Sequence, residues 1–328
     1  MTQFKTAKKE LNGVLFFFCI CKFLLLLTGL ILGPVLSVIL SLMYGDNAEN
    51  FYREFASYGT ISGLFLEISV FVLTLFVPTC LYFFFSGEKF KAAVPMEKPE
   101  PLQICFGVGS TIILGNLAAT VGNVLLSILF ALFGMSDKYN AMLENNITYP
   151  SNIWLIPLFA IMLAVLPAFF EEFAMRGIGL NVTKKFGILF SLFFSGFFFA
   201  FMHSSWVQLP FAFVIGILLA YFTLRFKTIW IAVISHFIFN FNSVVQCIIL
   251  QNAGDSATLL LAIWSILVST LMIGFMVAGL IIYGIRRPDL PKSEFSAGQK
   301  MKMLFSSPFL YIFMALESVQ LIYLLMIY

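Results

Sequence analysis

The chain has 328 residues, of which 61% are hydrophobic and only 11% charged, and its formal net charge is +3. Soluble domains carry about a quarter charged residues, so this composition excludes a soluble globular protein and points to lipid as the solvent. Its basic residues are dispersed over short stretches rather than gathered into a patch, which excludes a nucleic-acid partner.

A membrane span needs about 20 apolar residues. In chain order such runs fall at 12–43, 60–86, 102–134, 152–182, 187–203, 208–225, 228–250, 256–285 and 308–328. The first, third and fourth exceed a straight crossing and should tilt, bend or project, with Gly33-Pro34 the expected break in the first. That first run is too long for a signal-peptide core and lacks a small-residue cleavage site, so it reads as a retained helix. The last run is the weakest span because it carries Glu317 and Gln320. The pattern predicts an all-α, polytopic transmembrane helix bundle of eight or nine helices. Residues 1–149 would supply about three N-terminal helices, 150–250 a core of four, and 251–328 the C-terminal helices.

Loop charges orient the bundle. With the amino terminus cytoplasmic, the inside loops collect Lys5, Lys8, Lys9, Lys89, Lys91, Lys98, Lys184, Lys185, Arg225, Lys227, Arg286, Arg287, Lys292, Lys300 and Lys302. Outside loops keep only Arg53 and Lys138. The expected location is the cell membrane, multi-pass, with the amino terminus inside. Cys19, Cys21, Cys80, Cys105 and Cys247 lie mostly in apolar runs without zinc or disulfide spacing, and read as small buried hydrophobes.

Against that background the run "LPAFFEEFAMRGIGL" (166–180) stands out, with Glu171, Glu172 and Arg176 inside an apolar segment. A charge at the centre of a span costs roughly 2.5–3.5 kcal/mol on insertion scales, so intramembrane ionisable groups mark a functional site by default. Both histidines of the chain, His203 and His236, also fall at or within predicted spans. Glu172 and Arg176 are spaced i, i+4 and can pair along one helix face. Glu171 points about 100° away and is left for other work. His236 and Asn240 share a face by the same spacing, and Pro167 should open the helix ladder near Glu171. At about 1.5 Å per residue, Glu171, His203 and Asn240 reach overlapping depths, with His236 shallower, so three helices can converge on one pocket. Glu67, Asn116 and Asn123 read instead as polar glue between helices, and "SSWVQ" after His203 as an outer turn.

No Gly-x-Ser-x-Gly elbow, catalytic cysteine or HExxH helix is present, which leaves activated water as the nucleophile. Glu171 could take its proton, His203 hold the water and serve the leaving amine, and His236 and Asn240 donate to the oxyanion. Glu171, His203 and His236 could alternatively make a His₂Glu zinc site with an open position.

The motifs EExxxR (Glu171 to Arg176), FxxxH (Phe199 to His203) and HxxxN (His236 to Asn240), in this order, resemble the CPBP family of intramembrane proteases. That family includes type II CAAX prenyl endopeptidases and bacteriocin-processing and self-immunity (Abi) proteins. The resemblance covers roughly 150–245 and implies a peptide hydrolase in which Glu171 and His203 activate water and His236 and Asn240 form the oxyanion hole. Glu172 and Arg176 are implied as supporting members, and the metal-free mechanism is favoured over the zinc one. Met175 departs from the aromatic residue usual before the arginine. The implied partners are the lipid bilayer and a membrane-associated protein or peptide substrate. A transporter, or an immunity protein acting by binding alone, are the non-enzymatic alternatives.

Overall fold

The computed structural model describes residues 2–29, 33–47, 57, 59–144, 150 and 152–328. In chain order its main helices are α1 (Thr2–Leu27), α2 (Gly33–Tyr44), α3 (Ile61–Ser86), α4 (Pro101–Leu132), α5 (Ser136–Glu144) and α6 (Ile153–Phe186). They continue with α7 (Ile188–Met202), α8 (Leu209–Phe226), α9 (Trp230–Asn252), α10 (Ala257–Tyr283), α11 (Ala297–Phe305) and α12 (Pro308–Ile327). Eight of these, α1, α3, α4, α6, α8, α9, α10 and α12, are long and apolar enough to cross a membrane. No strand forms among the described residues. The protein is an all-α, multi-pass membrane bundle.

The first run carries two helices, α1 ending at Leu27 and α2 starting at Gly33, in keeping with the break expected at Gly33-Pro34, and only α1 has the length of a span. One expectation from hydropathy changes. The 187–203 run becomes α7, a helix of 15 residues. At 1.5 Å per residue it is about 22 Å long, short of a hydrocarbon core of about 30 Å. Its phenylalanines make it hydrophobic enough to count as a span, yet several face the protein interior: Phe194, Phe198 and Phe199 are buried, while Phe193 is exposed. Phe18 of α1 stacks on Phe198 at 4.8 Å, and Phe313 of α12 lies 4.9 Å from the same ring. Arg53, assigned to an outside loop, lies outside the described residues.

Prolines shape the two long helices that flank the polar centre. Proline cannot donate an N–H and clashes with the carbonyl four residues back. In α3 a π-helical segment, Val72–Phe76, precedes Pro78; in α6 another, Ile161–Val165, precedes Pro167. In each case the residue just before the proline donates five residues back, Val77 to Val72 and Leu166 to Ile161. The opening expected at Pro167 is therefore one widened turn, and the helix runs on to the glutamates without a break.

Small residues bring α7 and α8 into backbone contact, as membrane helices use them. A Cβ on Gly216 would sit 2.9 Å from the Gly196 Cα and 3.1 Å from the Ser195 carbonyl oxygen, so only glycine fits. Around this crossing, α4 packs against α8, α9 and α10, α9 packs on the first half of α6, and α1 lies along α12.

Candidate active site

The polar centre is built where α6, α7 and α9 meet, and it divides into two nodes. Glu172 heads the inner one. Its carboxylate is fully buried, with Oε2 3.0 Å from Arg176 Nε and Oε1 2.9 Å from His236 Nδ1. Arg176 also donates through Nη2 to the Gly216 carbonyl at 3.2 Å, an oxygen made reachable by the close α7–α8 crossing, and its guanidinium lies 5.0 Å from the centre of the Phe199 ring. The i, i+4 pair anticipated from spacing is thus made, and it recruits His236 from another helix.

Glu171 and His203 form the outer node. His203 Nδ1 lies 2.6 Å from the Phe199 carbonyl, one turn back, which makes it the N–H donor and leaves Nε2 with its lone pair. Nε2 stands 3.8 Å from Glu171 Oε2, too long for a direct hydrogen bond and short enough for one water to touch both groups. About a fifth of each side chain is exposed, whereas those of Glu172 and Arg176 are not exposed at all. Both line a cavity of about 200 Å³, walled further by Cys21, Glu67, Met175 and Met202. Glu67, read from sequence as helix glue, is part of this wall.

The expected convergence of all four groups on one pocket is replaced by this two-node arrangement. His236 and Asn240 lie outside the lining of the cavity, and Asn240 is half-buried one turn beyond His236 on α9. Phe199 joins the nodes: its ring meets His203 edge-on at 4.8 Å and His236 edge-on at 5.5 Å. Directly after Glu172, α6 winds as a π-helix over Phe173–Leu180, a winding frequent at functional sites and invisible to a 100° wheel.

The zinc alternative needs Glu171, His203 and His236 around one point. No three His, Cys, Asp or Glu side chains converge to hold a metal among the described residues, and His236 stands with Glu172 rather than with Glu171 and His203. The residues do not fit a His₂Glu site.

Spacing also missed Lys22. It lies in "CICKFLLLL", is completely buried, and pairs with Glu317 of α12, the residue that had made the last run a doubtful span. Ser204, assigned to an outer turn, is buried against the same ammonium. A lysine in the middle of an apolar run was the available signal.

With this geometry in place, comparison with known proteins is informative. Residues 152–242 match the family model described as Rce1-like, type II CAAX prenyl endopeptidase Rce1-like. The matched segment runs from the start of α6 to the middle of α9, and its similarity supports the CPBP/CAAX protease family. It contains Glu171, Glu172, Arg176, His203, His236 and Asn240, while α1–α5 and α10–α12 lie outside it. No curated protein and no solved structure matches the chain.

Proposed function

We propose that the protein is an intramembrane endopeptidase that hydrolyses a peptide bond of a membrane-associated substrate near its membrane end, using water activated by Glu171 and His203. The observation that carries this reading is the outer node: a carboxylate and an imidazole lone pair 3.8 Å apart on the wall of one cavity, within the segment that matches the CAAX endopeptidases. Glu171 takes a proton from the water as its oxygen attacks the scissile carbonyl carbon. His203 Nε2 holds the same water and relays a proton to the leaving nitrogen as the C–N bond breaks.

His236 and Asn240 are the proposed oxyanion donors, which requires the scissile carbonyl to reach past Phe199 from the cavity lined by Glu171 and His203, and the role carries one chemical condition. Because His236 Nδ1 donates to the Glu172 carboxylate, His236 can donate to an oxyanion only by carrying a proton on Nε2 as well. The proposal keeps 150–250 as the catalytic core, with 1–149 and 251–328 as flanking helices. It places the protein in the cell membrane, amino terminus inside, as the loop charges predict.

The test is cleavage by the purified protein in lipid nanodiscs of a farnesylated peptide ending in a CAAX sequence. Mass spectrometry in H₂¹⁸O should find the C-terminal tripeptide released and one ¹⁸O in the new carboxylate of the prenylated fragment. An intact peptide, with an unlabelled extended hydrophobic peptide also left uncut, would return the buried charges to a binding or transport role. Bacteriocin immunity by binding alone predicts protection of cells that survives Glu171→Ala.

A further inference from the structure

We infer that Lys22, held by Glu317, is a positioning residue for His203, reaching the catalytic helix from outside the family segment. This rests on the reading of His203 as a catalytic residue. The helix α7 is capped by His203, and its last carbonyls are met only by the tightened turn that follows, His203 N–H to Ala200 at 3.2 Å and Ser204 N–H to Phe201 at 3.4 Å. Lys22 Nζ donates to the Phe201 carbonyl at 3.3 Å and to the Ser204 hydroxyl, so one ammonium grips the chain on both sides of His203. A cation at a helix C-terminus is also favoured by the helix dipole.

The turn it grips is an unusual one. Ser204 has φ of 51°, one of two non-glycine residues with positive φ among those described. A serine in the left-handed region persists where surroundings over-determine it. Here they do: Lys22 holds the Ser204 side chain, Glu317 holds Lys22, and Trp206 Nε1 donates to the Leu321 carbonyl one turn along α12 at 3.2 Å. Lys22 and Glu317 are both essentially unexposed, so the pair is committed to this place. The His203 ring, whose Nδ1 is tied to Phe199, then has its Nε2 direction set by where the helix is made to stop.

The experiment replaces both charges, Lys22→Met with Glu317→Leu, because apolar replacement of a whole buried pair is often neutral or stabilising. In protein labelled with ¹⁵N-histidine, the two ring systems are distinguished by a His236→Gln control. The wild type should show His203 as a single neutral Nδ1–H tautomer. The double variant should show mixed tautomers at His203, an unchanged His236 and an unchanged melting temperature. On the farnesylated peptide, kcat should fall roughly 100-fold, the loss expected of a misplacement of about 1 Å, with KM retained. Should that variant fail to fold, Ser204→Ala removes one of the two grips alone and should give the same His203 signature with a smaller loss of kcat. An unaltered His203 spectrum in a folded double variant, or in Ser204→Ala, overturns the inference. A wild type that leaves the peptide uncut would instead count against the protease reading, and the spectra would still decide the positioning role.

Discussion

Glu172→Gln isolates the charge at the heart of the inner node. The glutamine carbonyl can still accept from His236 Nδ1, now 2.9 Å from Glu172, so His236 keeps its orientation. What disappears is the anion 3.0 Å from Arg176 Nε. The guanidinium is buried and cannot turn to solvent; it retains the Gly216 carbonyl and the Phe199 ring, both neutral. Removing one member of a buried pair costs about 3–5 kcal/mol. At roughly 2–4 °C per kcal/mol, the variant should melt on the order of 10 °C below wild type. The assay is tryptophan-monitored melting in detergent beside peptide cleavage. Adding Arg176→Met removes the stranded cation and should recover most of the lost stability. Cleavage should stay low, because His236 has lost its anionic partner. A Glu172→Gln protein that melts with the wild type, or an Arg176→Met addition that deepens the loss, refutes the reasoning.

Glu171→Gln should fold and melt as wild type, being partly exposed to the cavity, and lose about 10²–10⁴-fold in kcat, the usual worth of a general base; retained cleavage would move the base elsewhere. Gly216→Ala should destabilise by about 1–3 kcal/mol, as overpacking does, since its Cβ would press on the Gly196 Cα, and normal melting would show that α7 and α8 can part freely. Cysteine placed at Lys89 or Lys300 should react with an impermeant thiol reagent only from the cytoplasmic side, and at Lys138 only from outside; outside labelling at position 300 would invert the orientation.

Composition and run length were enough to read the solvent and eight of the nine expected spans, because lipid imposes both on any helix that crosses it. Spacing was also enough for the Glu172–Arg176 pair, which is a property of one helix. Whether His236 would meet Glu171 or Glu172 was out of reach. That choice depends on how α6 is rotated against α9, and two π-helical segments of α6 alter the phase that an ideal 3.6-residue turn assumes. The bounds of α7 were legible to within a residue or so, but hydropathy registers its phenylalanines and so counted as a span a helix too short to be one. Lys22 and Glu317 each looked like a blemish in an apolar run, since neither explains itself without the other.

The Lys22–Glu317 pair also imposes an order on biogenesis. Helices enter the bilayer as they leave the ribosome, N-terminal ones first. Lys22 therefore reaches the membrane interior long before Glu317 exists, an expensive cation with no counter-ion and every reason to hold α1 near the interface. Arrival of α12 neutralises it and lets both helices settle, and only then is the end of α7 gripped beside His203. A nascent chain built this way carries all six motif residues before the Lys22–Glu317 grip beside His203 can form, so on the proposed reading activity would wait for translation to pass Glu317.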